Sequence, residues 1–257
     1  PIIRETLKLL CPNIESVEMA SFADIPYGTG LGSSGSFTTA LVKALNLFFH
    51  KSSNSGELAA LATFIEADVL GEPIGIQDQY IAAYGGITEF QVDSHANVKV
   101  RSLEISRETL QKLESNLCLF YTGKSRSASS ILADQDVRSR KSETRIIQDL
   151  QQVKEMGLQI RDALETGRLS DFGNLLNEHW KLKRNRSQSM STEFVDIVYE
   201  AALSAGALGG KLVGAGGGGF LLFYAEDATP LRKTMSDLGL EELRFKFDFE
   251  GTKAVFA

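Results

Sequence analysis

Residues 24–49, DIPYGTGLGSSGSFTTALVKALNLFF, constrain this chain more than any other stretch. Gly28, Gly30, Gly32 and Gly35 are interleaved with Ser33, Ser34 and Ser36. Behind them Phe37, Ala40, Leu41, Ala44, Leu45 and Phe48 recur at helical spacing. The first N–H groups of a helix have no intrahelical partner, and the helix dipole adds partial positive charge there. Glycines let backbone pass close to a ligand, so the loop reads as an anion site, with serine hydroxyls available to a phosphate-bound Mg²⁺. A flexible loop leading into an ordinary Ser-capped helix is the competing reading at this point.

The 257 residues, 43% hydrophobic and 23% charged, suit one large or two medium globular domains. A net charge of −6 and a pI near 5.3 argue against a general nucleic-acid surface. No apolar run approaches the roughly 18 residues of a membrane span, and no signal peptide opens the chain, so the expected compartment is the cytoplasm. Cys11 and Cys118 stand far apart and away from other ligand types, which argues against both a disulfide scaffold and a zinc site.

Taken in order, residues 1–10 predict a helix through Ile3, Leu7 and Leu10, and residues 16–22 an extended segment. A helix capped by Ser55 follows, with Glu57 in its first turn and Gly71 as its stop. Glu66 lies one step beside the apolar stripe of that helix, at the edge of the core or on a solvated flank. Asp78, between Gln77 and Gln79, either caps a short helix or lines a buried polar pocket. ITEFQV and NVKVRSLEI read as strands, as does LCLFY at 117–121. The polar stretch 106–112 marks a boundary between domains at 1–110 and 111–257. A helix over 136–166 carries Ile146, Leu150, Val153, Ile160 and Leu164 on one stripe. Gly157 falls on it and is expected to let another element pack close. A further helix through Phe172, Leu176 and Trp180 runs into the basic series Lys181, Lys183, Arg184 and Arg186, a solvated face or a meeting place for an anionic substrate. Four successive glycines, 216–219, between KLVGA and FLLFY predict a tight loop where backbone approaches something closely. The tail, ELRFKFDF and TKAVFA, alternates like two antiparallel strands.

Phosphate motifs separate the alternatives. Gly30-Leu31-Gly32-Ser33-Ser34-Gly35 satisfies G-x-G-x-x-G, but the first acidic residue after Asp24 is Glu57, with no strand before it to hold a ribose. Gly123-Lys124-Ser125 resembles the end of a Walker A loop, yet Cys118 stands where its first glycine is required. Asp171-Phe172-Gly173 lacks the other protein-kinase motifs, and no G-x-S-x-G supports a hydrolase.

Pro26-x-Gly28-x-Gly30-Leu31-Gly32-Ser33-Ser34, then Glu66, Gln77-Asp78-Gln79-Tyr80 and KLVGAGGGGF together resemble the GHMP kinase superfamily. YTGKSRSASSIL, HWKLKRNRSQSMS and GALGGKLVGAGGGGF are similar to its branch of D-glycero-D-manno-heptose 7-phosphate kinases, and the likeness covers essentially the whole chain. Position 35 is Gly where the superfamily more often has Ala. The resemblance implies a two-domain α+β fold: an ATP-binding N-terminal domain like domain 2 of ribosomal protein S5, and a ferredoxin-like C-terminal domain. It also implies ATP and Mg²⁺ as cofactors and a sugar phosphate as substrate. Pro26, Gly28, Gly30, Leu31, Gly32, Ser33, Ser34 and Gly35 would bind ATP. Ser34 and Glu66 would hold Mg²⁺, and Asp78 would act as the base. Gly216, Gly217, Gly218, Arg126 and Lys183 would meet the sugar phosphate. Such kinases begin with a further stretch of strands carrying a first Gly-rich motif that nothing here matches, so the N-terminal domain is expected to be incomplete at its start. A non-catalytic binding relative and a dinucleotide-dependent oxidoreductase are the other classes to be separated.

Overall fold

The computed structural model describes residues 1–13, 16–123, 143–186, 190–214 and 216–255. Arg126 lies outside the described residues. The chain divides into two compact units, one of Pro1–Tyr27, Gly32–Ser102 and Phe247–Ala257, the other of Gly28–Leu31 and Leu103–Lys246.

The first unit contains α1 (Ile2–Leu10), α2 (Ser33–Phe48), α3 (Ser55–Phe64) and α4 (Gln77–Tyr84), followed by the antiparallel hairpin β1 (Thr88–Val92) and β2 (Val98–Ser102). α3 is capped by Asn54, not Ser55. The Asn54 side chain accepts from the Glu57 N–H while the Glu57 carboxylate accepts from the Asn54 N–H, a closed capping box. The buried face of α2 is turned from the expected stripe: Thr38, Thr39, Leu41, Val42 and Leu45 are buried, whereas Phe48 is 61% exposed. The threonines can go inside because their hydroxyls donate to the carbonyls of Ser34 and Ser36, each at 2.9 Å. Val42, Leu58, Ala59, Ile65, Tyr80 and Ala83 form the core against which α4 is set. Full burial of each large apolar side chain contributes about 1.5–3 kcal/mol. Residues 16–23 run on without pairing into a ladder.

In the second unit, α5 (Arg107–Asn116) occupies the polar stretch read as a boundary, with Ser106 as its N-cap. Then come β3 (Leu117–Tyr121), α6 (Glu143–Glu165), α7 (Leu169–Arg186), α8 (Glu193–Ser204), β4 (Ala207–Leu212), β5 (Phe220–Ala225), α9 (Ala228–Asp237) and β6 (Glu241–Glu242). The strand order β4-β5-β3-β6, antiparallel at every pairing, with helices between β3 and β4 and between β5 and β6, is the split βαβ arrangement of a ferredoxin-like sheet. Phe120, Trp180, Tyr199, Leu212, Leu221 and Phe223 fill its core. Both cysteines are buried and free. Burial pushes the Cys118 thiol up to about 11, which leaves it inert near neutral pH.

Two further expectations give way, and one alternative loses its support. Gly157 is exposed, and among the described residues nothing packs near the place of a Cβ; α6 buries Met156, Ala163 and Leu164 instead. Among the described residues the tail forms only the two-residue β6. After β6 the Leu243 N–H still donates to Leu119 O, and the assigned pairing with β3 goes no further than Glu242. Among the described residues no parallel strand pair occurs, which removes the doubly wound dinucleotide fold.

Candidate active site

In the first unit the site begins at the N-terminus of α2. Gly32 is the N-cap in a left-handed conformation, φ 71°, and no side chain caps the helix. The first-turn amides therefore remain available, and no acidic residue in that turn competes for them. Among the described residues the hydroxyls of Ser33 and Ser34 make no hydrogen bond. Asp78 lies directly against this helix end. A Cβ on Gly32 would sit 3.2 Å from Asp78 Cγ, and one on Gly35 would meet the Asp78 carbonyl carbon at 2.9 Å. Gly35 thus permits a closer approach of α4 to α2 than alanine would.

Glu66 reaches the same unit's interior through a local change of helix type. α3 continues as a π-helical turn, Ile65–Val69, in which Leu70 N–H donates to Ile65 O at 3.0 Å. One residue more per turn rotates the residues that follow, and such turns recur at functional sites. Glu66, which the sequence leaves at the core edge or on a solvated flank, is 2% exposed, and its Oε1 accepts from Gln79 Nε2 at 3.0 Å. The Asp78 carboxyl is held above its ordinary range, first by burial and then by the Glu66 charge. Asp78 is therefore the link: it touches the glycines flanking Ser33 and Ser34, and its titration feels Glu66. The uncapped helix end offers N–H groups to a phosphate, and the two hydroxyls and two carboxylates are oxygen ligands of the kind Mg²⁺ takes. Among the described residues no group of three His, Cys, Asp or Glu side chains gathers as a self-sufficient metal cage.

In the second unit, the segment Gly28–Leu31 packs against the glycine loop that follows β4. A Cβ on Gly30 would stand 2.7 Å from Val213 O, and one on Gly214 would stand 2.5 Å from Gly30 Cα. Thr122 closes the far side of the loop, its hydroxyl donating to Gly219 O at 2.9 Å and accepting from the Gly219 N–H at 3.1 Å. Gly216, Gly217 and Gly218 are buried, with the Gly217 N–H donating to Met190 O at 3.1 Å. Lys183 Nζ donates to Leu212 O at 3.2 Å and to Gly214 O at 2.5 Å. Its ammonium thus braces the strand end and the loop. Further along the basic series, Arg184 pairs with Asp196 at 3.3 Å.

Sequence reasoning assigned no role to Gln79, Thr29 or Thr122, all buried. Gln79 left a signal, a polar residue inside an apolar segment; the two threonines left none beyond a neighbouring glycine.

The family description "GHMP kinases N terminal domain" matches residues 2–86, and "GHMP kinases C terminal" matches residues 160–239, together more than half of the chain. The D-glycero-alpha-D-manno-heptose 7-phosphate kinase of Campylobacter jejuni is 28% identical over 242 residues, spanning 93% of this chain and 70% of that protein. A galactokinase of Pyrococcus furiosus is 27% identical over 252 residues, spanning 88% of this chain and 69% of that one. The crystal structure of a D-glycero-D-manno-heptose 1-phosphate kinase from Bacteroides thetaiotaomicron matches with a TM-score of 0.70 at 25% identity, covering 92% of this chain and 67% of that one. The chain thus spans about two thirds of the length of these relatives. On its two family domains, its α+β architecture and these likenesses, the chain belongs to the GHMP kinases.

Proposed function

We propose that this chain carries the catalytic machinery of an ATP-dependent sugar kinase whose acceptor is D-glycero-D-manno-heptose 7-phosphate, giving the 1,7-bisphosphate. The observation that carries the reading is Asp78 pressed against the uncapped N-terminus of α2, beside Ser33 and Ser34 and within electrostatic reach of Glu66. The likeness to the Campylobacter jejuni heptose 7-phosphate kinase over 93% of the chain supports the choice of acceptor.

The backbone N–H groups at the start of α2 bind the ATP phosphates, and the glycine segment before them keeps side chains out of their way. Ser34 and Glu66 would hold Mg²⁺, which when bound would neutralise phosphate charge. Asp78 takes the proton of the attacking sugar hydroxyl as its oxygen bonds to the γ-phosphorus and the bond to the β-phosphoryl oxygen breaks, releasing ADP. Its raised pKa lies nearer neutrality than that of an exposed aspartate, which strengthens it as a base. Gly216, Gly217 and Gly218 serve the sugar side through their backbone.

The test is ADP release with Mg²⁺·ATP and a panel of heptose 7-phosphate, galactose and mevalonate, with ³¹P NMR to identify the product. A new anomeric phosphate on the heptose is expected. ADP release with galactose or mevalonate but not with heptose 7-phosphate overturns the choice of acceptor. No release with any sugar or sugar phosphate, despite bound ATP, returns the chain to a binding relative.

A further inference from the structure

Gln79 is 1% exposed on the face of α4 that meets the π-helical turn. Its Nε2 donates to Glu66 Oε1 at 3.0 Å, while its own Oε1 is buried with no hydrogen-bond partner among the described residues. A buried amide with half its capacity unused is an expensive way to fill space, and methionine or leucine would fill it without an orphaned acceptor. What the amide adds is a donor without a charge. Lysine or arginine at this place would pair with Glu66 and cancel it; glutamine orients one carboxylate oxygen and leaves the negative charge whole. Among the described residues Glu66 Oε2 accepts no hydrogen bond.

We propose that Gln79 is a positioning residue for Glu66: its neutral amide fixes Oε1, so that Oε2 and the full carboxylate charge are presented to a divalent cation. The inference rests on Glu66 being a metal ligand, as the proposed function has it. It assigns Gln79 an effect on cation binding that a packing residue does not have.

The test compares Gln79→Met, which keeps the length and apolar volume but removes the donor, with Glu66→Gln. Mn²⁺ binding is followed by electron paramagnetic resonance in the presence of a non-hydrolysable ATP analogue, alongside metal-free analogue affinity and thermal midpoint. Loss of the partner that orients a metal ligand weakens the metal by roughly 10–100-fold. Gln79→Met is expected to do so while metal-free nucleotide affinity stays within twofold. If Gln79→Met binds Mn²⁺ like the wild type while Glu66→Gln does not, the inference is overturned and Glu66 keeps its role. If Gln79→Met lowers the midpoint and weakens metal-free nucleotide binding as much as Mn²⁺ binding, Gln79 is a packing residue and the inference is again overturned. If Glu66→Gln also binds Mn²⁺ normally, the metal-ligand reading of Glu66 fails and the inference falls with it.

Discussion

At Asp78 the requirements of stability and chemistry oppose each other. Burial and the neighbouring Glu66 charge both raise its pKa, so the ionised form is tolerated less well in the folded chain than in the unfolded one. A group with a raised folded pKa contributes stability that is complete below its unfolded pKa and is lost as the pH rises through the folded value. At neutral pH, therefore, the ionised Asp78 costs the metal-free protein stability. Asp78→Asn removes that cost, and in chelator its thermal midpoint is expected to exceed that of the wild type at neutral pH. The two midpoints converge as the pH falls toward about 4, where an ordinary aspartate takes its proton. Turnover in the same variant is expected to drop by roughly 10²–10⁴-fold, the usual worth of a positioned base. Coincident midpoints across the whole range would show that the burial of Asp78 carries no electrostatic cost. The sequence made Asp78 a candidate but left a cap, the usual place of such an aspartate, and a polar pocket both open. Only the approach of Gly32 and Gly35 separates them, because a sequence does not record which helix end meets which loop.

Periodicity located the elements and missed their irregularities. α1, α4, the β1–β2 hairpin and β3 stand where their patterns put them, since each buries a face whose period is visible in the residues. The π-helical turn at Ile65–Val69 was not legible: the extra residue leaves the composition unchanged and alters only how the next turn is rotated. The stripe on α2 was misplaced by a similar blindness, because a threonine counts as polar until its hydroxyl finds a carbonyl of its own helix. The glycine loop after β4 was read as a place of close approach, and Gly30 against Gly214 is that approach. Lys183 belongs to this element-scale account. Its ammonium holds the carbonyls of Leu212 and Gly214, and hydrogen bonds from a charged donor contribute about 1.5–3 kcal/mol each when well formed. Lys183→Met is expected to raise amide exchange through residues 213–219 and to lower the stability of the second unit. Were Lys183 instead chiefly a ligand for the sugar phosphate, the same variant would raise KM for that substrate and leave the loop amides protected. Hydrogen exchange and KM measured on one preparation decide between the two roles.

At the scale of the whole molecule, a single cut near residue 110 does not describe how the chain is shared between its units. The second unit ends at Lys246, and residues 247–257 belong with the first. Alternating apolar residues in the tail suggested strands, whereas hydrogen bonds to α4 and to the turn after it hold it. The Gly86 N–H donates to Asp248 O at 2.6 Å, Thr252 Oγ1 donates to Ala82 O at 2.8 Å, and a Cβ on Gly85 would stand 2.6 Å from Gly251 N. No local pattern reveals such a return, because its partners lie more than 160 residues earlier in the sequence. Removing residues 247–257 should therefore act on the unit that holds Asp78 and Glu66, at a cost of about 1–3 kcal/mol for the bonds at Gly86 and Ala82 alone. The chain contains a native probe that tells the units apart. Its single tryptophan, Trp180, is fully buried in the core of the second unit. Truncation after Lys246 is expected to lower the protection of the α4 amides against hydrogen exchange while leaving the denaturant midpoint of Trp180 fluorescence unmoved. An equal fall in both would mean that the units unfold as one cooperative body. An unchanged α4 would mean that the contacts at Gly86 and Ala82 contribute nothing to holding the carboxylates in place.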